Sequence, residues 1–147
     1  MRDPTWPRVL IVEDEHSIRD VLVELFDVEG TSVDAAATLD AATATLARRA
    51  FTLIVTDIRL GGRRDGGFQV MAAAGVLSPD ATVIALSAFP DEDTRRASVR
   101  LGAAHFLEKP VSLELLSELA AAAGVSTAMR PARRDSGTPL TEATLVM

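Results

Sequence analysis

Uniform apolar runs alternate with segments of helical period through most of this chain. Val9-Leu10-Ile11-Val12 contains no polar residue, the pattern of a short strand buried on both faces. Ile18, Val21, Leu22, Leu25 and Phe26 then recur at the i, i+3, i+4, i+7, i+8 spacing of one helix face, and Gly30 supplies a left-handed stop. A weaker strand over residues 32–35 precedes a helix starting near Thr38, its predicted N-cap. Leu39, Ala42 and Leu46 share a face of that helix, and Arg48 and Arg49 suit its last turn.

Residues 51–56 read as the central strand. In the following loop Gly61-Gly62 and Gly66-Gly67 bracket Arg63, Arg64 and Asp65, and four glycines make it more mobile than a proline-fixed loop. A short Ala-rich helix leads to a turn at Pro79-Asp80, then to a strand over residues 82–86. A charged helix over residues 91–101 stops at Gly102. A last strand spans residues 104–107, and Ser112 caps a final helix in which Leu115, Leu116 and Leu119 share a face. Strands and helices alternating at these intervals imply right-handed βαβ crossovers and a parallel sheet, an α/β doubly wound domain of five units. Its span is residues 8–123. Residues 1–7 form an extension. From Gly124 the periodicity dissolves, and residues 124–147 are expected to be disordered or loosely docked.

Composition narrows the class. The chain has 147 residues, 48% of them hydrophobic, which suits one domain with a real core. A net charge of −6 argues against a dominant nucleic-acid surface. With no cysteine there is neither a disulfide nor a thiolate metal site. No apolar run approaches the roughly 20 residues of a membrane helix, and residues 1–8 lack a signal-peptide core, so a soluble cytoplasmic protein is expected.

The chemistry-bearing residues lie just after the apolar runs. Glu13 and Asp14 follow the first, Asp57 ends the central one, Ser87 closes Val83-Ile84-Ala85-Leu86, and Lys109-Pro110 comes shortly after Phe106-Leu107. In a doubly wound sheet the carboxyl ends of the strands converge, which brings three acids, a hydroxyl and an ammonium into one crevice. Three adjoining carboxylates repel one another, and an all-oxygen set of this kind suits Mg²⁺. His16 and His105, the two histidines, have no ligand-spaced partner.

These residues carry a resemblance. Leu10 through Glu15, Ile54-Val55-Thr56-Asp57, Leu86-Ser87-Ala88 and Gly102 through Pro110 resemble the motifs of the receiver domain of two-component response regulators. Asp14, Asp57, Ser87 and Lys109 also follow one another at the matching intervals of 43, 30 and 22 residues. The resemblance spans residues 8–123 and implies a flavodoxin-like strand order 2-1-3-4-5 with helices on both faces. It further implies that Asp57 is the phosphoacceptor, forming an acyl phosphate by in-line attack. Glu13, Asp14, Asp57 and the backbone carbonyl of Arg59 would hold Mg²⁺, with Glu13 acting mainly through water. Lys109, Ser87 and the backbone of Ala88 would bind the phosphoryl oxygens. Ser87 and Phe106 would form the switch, and the Lys109–Pro110 bond would be cis.

The implied partners are a sensor histidine kinase or phosphotransfer protein, and then a downstream protein or a second copy meeting the surface of residues 91–123. Such a domain catalyses only its own phosphorylation and dephosphorylation and is not otherwise an enzyme. Departures from the usual pattern are Leu60-Gly61 in place of Met-Pro, Asp65-Gly66 about one residue late, and Ser87 in place of threonine. Arg63 and Arg64 add cations beside the site.

Two other readings compete. A haloacid-dehalogenase-like phosphatase also uses a nucleophilic aspartate and Mg²⁺, but needs a second acid two residues later, where Arg59 stands. A receiver-like interaction module working without phosphorylation would not need acceptor, acids, hydroxyl and lysine all retained. A DNA-binding output is not expected, because the two dozen residues after the domain are too few for a helix-turn-helix unit.

Overall fold

The computed structural model describes residues 3–133. Its elements follow the alternating pattern: β1 (Arg8–Val12), α1 (His16–Phe26), β2 (Ser32–Ala36), α2 (Leu39–Arg48), β3 (Leu53–Asp57), α3 (Gly66–Leu77), β4 (Thr82–Ser87), α4 (Glu92–Arg100), β5 (Ala103–Glu108) and α5 (Leu113–Ala122). The sheet is five-stranded, parallel and ordered β2-β1-β3-β4-β5, as expected. Strand order reverses between β1 and β3, so their carboxyl ends flank the switch-point crevice.

Successive strand residues point to opposite faces, and both faces are covered, which is why the strands are uniformly apolar. Leu10, Val12, Ile54, Val83 and Ala85 pack with Ala42 and Leu46 of α2 and Val70, Met71 and Ala74 of α3. Val9, Ile11, Leu53, Val55, Ile84 and Leu86 pack with Leu22, Leu25 and Phe26 of α1 and Leu116 and Ala120 of α5. The predicted caps Thr38 and Ser112 form, each accepting a backbone N–H three residues on at 3.0 and 3.1 Å, and Asp91 caps α4 in the same way at 2.7 Å.

Three expectations change. Val21 and Leu115 lie on the solvent side of their helices, so the apolar stripes of α1 and α5 are narrower than the hydrophobic pattern suggested. The loop after β3 is shorter and more constrained than predicted. Leu60 and Arg63 exchange two backbone hydrogen bonds, of 3.0 and 2.9 Å, across Gly61-Gly62. Both glycines have positive φ, 55° and 82°, as a type I′ turn demands. Gly66 and Gly67 belong to the first turn of α3, and they serve close approach rather than mobility. A Cβ on Gly67 would strike the Asp57 carbonyl oxygen and come within 2.6 Å of the Ile58 Cα.

The third change concerns the segment after α5, whose first ten residues, 124–133, pack against the domain. Val125 is fully buried and Thr127 nearly so. The Ala128 N–H donates to the Leu25 carbonyl at 2.8 Å, the Thr31 hydroxyl to the Ser126 carbonyl at 2.8 Å, and the Arg133 N–H to the Ala121 carbonyl at 2.9 Å. The rest of the predicted disordered tail, residues 134–147, lies outside the described residues.

Candidate functional site

Parallel register brings the predicted residues to one edge of the sheet. Val12 lies beside Thr56, Asp57 beside Leu86, and Ser87 beside Glu108, so Glu13, Asp57, Ser87 and Lys109 emerge at neighbouring strand ends. Backbone hydrogen bonds continue the sheet past its last ladder rungs. Glu13 N–H donates to Ala36 O at 3.1 Å, Ile58 N–H to Leu86 O at 3.0 Å, and Lys109 N–H to Ser87 O at 2.8 Å. The Lys109–Pro110 bond is cis.

Lys109 bridges the acids. Its Nζ donates to Asp57 Oδ2 at 2.9 Å and lies 3.0 Å from Glu13 Oε1. The second approach is off the hydrogen-bonding direction, which leaves Glu13 Oε1 buried without an aligned donor. The other Glu13 oxygen, Oε2, accepts the Glu15 N–H at 3.1 Å. Asp14 Oδ2 accepts the Gly61 N–H at 2.8 Å, so the glycine turn after β3 reaches back to the acidic turn after β1. The same acidic turn is held from α1. Arg19 Nη1 donates to the carbonyls of Glu13 at 3.1 Å and Asp14 at 3.3 Å.

The site is electrostatically loaded. Glu13 is 1% exposed. Burial pushes its carboxyl above the ordinary range, the neighbouring Asp57 charge adds to that push, and Lys109 and the Glu15 N–H oppose it. For Lys109, burial alone would lower the ammonium, but its hydrogen bond to Asp57 and the negative charges of Asp57 and Glu13 prevail and hold it raised, hence charged. Carboxylate oxygens of Glu13, Asp14 and Asp57 lie within 4.8 Å of one another, three acids against one lysine. The orphaned Oε1 and the all-oxygen donor set fit a hard divalent cation.

A cleft of about 490 Å³ opens above this cluster, with Arg59, Arg64, Ala88, Phe89, Asp91 and Thr94 completing its walls. Ser87 Oγ accepts the Phe89 N–H at 3.0 Å, which leaves the hydroxyl proton free to donate into the cleft. The two loop arginines separate. Arg64 lines this cleft, whereas Arg63 lines an adjoining recess of about 150 Å³ with Thr38, Leu39 and Asp40. Phe106 is half-buried on β5 opposite Ala85, packed toward the α2–α3 side.

Sequence reasoning missed three participants. Phe89 is 64% exposed at the mouth and carries the Arg59 guanidinium 5.2 Å above its ring; a lone exposed aromatic gives no periodic signal. Arg19 reads as an ordinary helix-surface cation. Gly67 had a legible signal, a glycine opening a helix, but not the contact that requires it.

The profile of the response regulator receiver domain matches residues 9–121. The response regulator protein FleR of Pseudomonas aeruginosa is 31% identical over 114 residues, which is 78% of this chain and 24% of FleR. The chain thus spans about a quarter of that relative's length. A CheY-like receiver domain from Methanospirillum hungatei JF-1 superposes with a TM-score of 0.72 at 28% identity, covering 78% of this chain and 90% of that one. A response regulator from Burkholderia pseudomallei, solved with a phosphorylated aspartic acid, a calcium ion and citrate, gives 0.70 at 27% identity, covering 78% and 65%. Fold, strand-end acids and profile agree: the chain belongs to the response regulator receiver family.

Proposed function

We propose that Asp57 receives a phosphoryl group from a histidine kinase or phosphotransfer protein, and that the acyl phosphate alters the surface of residues 91–123. The observation that carries this reading is the shared ion-pair cluster, in which Lys109 lies 2.9 Å from Asp57 and 3.0 Å from Glu13. Asp57 is 5% exposed and lines the cleft.

In the proposed step an Asp57 carboxylate oxygen attacks phosphorus in line. The new O–P bond forms as the bond to the donor atom breaks, and the electron pair leaves with the donor. Lys109 then shifts from the carboxylate to the phosphoryl oxygens, and the Ser87 hydroxyl and the Ala88 backbone donate to them. Glu13, Asp14, Asp57 and the Arg59 carbonyl would hold Mg²⁺, which when bound neutralises charge on the transferred group. A calcium ion accompanies the phosphorylated relative from Burkholderia pseudomallei, which supports a divalent cation here.

Movement of Ser87 toward the phosphoryl group would draw in its loop and turn Phe106 further inward. That would reshape the face formed by α4, β5 and α5, where Val99, Leu101 and Leu115 are already exposed. This exposed apolar set supports a protein target or a second copy as the reader. Among the described residues no helix is long and apolar enough to cross a membrane.

The metal-dependent part is tested with acetyl phosphate. Incubation with MgCl2 should add the mass of one phosphoryl group to the intact protein, and excess chelator should suppress the addition. No gain of mass, or labelling undiminished by chelator, sinks the reading.

A further inference from the structure

We infer that Arg19 is a positioning residue for the divalent cation, acting through the backbone of Glu13 and Asp14; this inference rests on the cation reading of the site given above. Arg19 is half-buried on α1, and its guanidinium is spent on a turn rather than on an acid. Nη1 donates to both the Glu13 carbonyl, at 3.1 Å, and the Asp14 carbonyl, at 3.3 Å. Nη2 meets His16 Nδ1 at 3.1 Å, and His16 Nε2 lies 3.2 Å from Asp20 Oδ2. Among the described residues no carboxylate pairs with Arg19.

The turn needs such a clamp. It presents two consecutive carboxylates toward a third, so mutual repulsion drives it outward. The helix that follows starts without a side-chain cap: Glu15 occupies the cap position and makes no such hydrogen bond. Holding the two carbonyls on the α1 side orients the corresponding Cα–Cβ bonds toward Asp57 and Lys109. A planar fork suits this task, because it spans two carbonyls and the imidazole at once. A lysine offers a flexible point charge instead.

Charge and geometry predict opposite signs for the same substitution. By charge alone, removing a cation beside an acidic site tightens a divalent cation. If Arg19 acts by position, removing it loosens the cation despite the favourable charge change. Loss of an outer partner of metal ligands typically costs about tenfold or more in affinity.

The decisive experiment titrates the full chain with MgCl2 and follows backbone amide shifts of Asp14, Asp57 and Gly61, in wild type, Arg19→Leu and Arg19→Lys. The expected result is a saturable wild-type response and midpoints raised about tenfold in both variants. Arg19→Lys keeps the charge and carries the test alone if Arg19→Leu does not fold. A tighter Arg19→Leu with an unchanged Arg19→Lys overturns the positioning role, as do unchanged midpoints in both. A wild type that does not respond to Mg²⁺ at all overturns the cation reading itself, and the role of Arg19 with it.

Discussion

Glu13 is the residue at which packing and charge pull hardest against each other. It sits at the end of a strand buried on both faces, 1% exposed, with one oxygen lacking an aligned donor. A buried carboxylate with one oxygen left without a hydrogen-bond donor costs stability, and its presence here fits the proposed cation site. The consequence for pH follows from the sign of the shift. The folded Glu13 carboxyl is raised above the 4.5 of a free glutamate, so the unfolded chain ionises first as pH rises. Between 4.5 and the folded value the native state binds more protons, and its stability therefore falls across that window before levelling off. Glu13→Gln has no such proton to lose. In chelator, its advantage in urea midpoint over wild type should grow as pH rises from 4.5 and then become constant; an advantage independent of pH would contradict the account. That a strand-end acid belongs to a cluster was legible from its place after an apolar run. That Arg19 grips the carbonyls beneath it was not, because a backbone-directed guanidinium leaves no trace in spacing.

At the scale of elements, the alternating pattern was read nearly in full, since double burial makes each strand uniformly apolar and each helix one-sided. The errors share a cause. Helix stripes were drawn too wide, so Val21 and Leu115 were placed inside when they face solvent. Periodicity records which side a residue occupies, not how far the neighbouring layer extends. The segment after α5 was read as tail because its contacts are single, non-periodic ones: Val125 in the α1–α5 core and backbone bonds to Leu25 and Ala121. At the junction of β3 and α3 the backbones approach closely, with Gly67 N–H donating to Ile58 O at 2.7 Å and no room for a Cβ on Gly67. Gly67→Ala forces the helix off the strand end and should destabilise the domain by about 1–3 kcal/mol in urea unfolding. An unchanged midpoint would show that this junction is looser than the contact implies.

Across the whole molecule, the fold does one thing for function: it delivers groups from four strand ends to one cleft, at positions far apart in the chain. Asp57, Ser87 and Lys109 come from β3, β4 and the end of β5, and Glu13 and Asp14 from the end of β1. The same sheet edge connects the cleft to the end of β5 through the Ser87 carbonyl, which accepts the Lys109 N–H. The chain belongs to the receiver family, and under the proposed function it is a scaffold whose chemistry is confined to one carboxylate, Asp57. The most direct test of that claim compares wild type with Asp57→Asn, exposed together to acetyl phosphate and MgCl2 and weighed as intact proteins. The account predicts one added phosphoryl group on wild type and none on Asp57→Asn. Equal labelling of the two would contradict it.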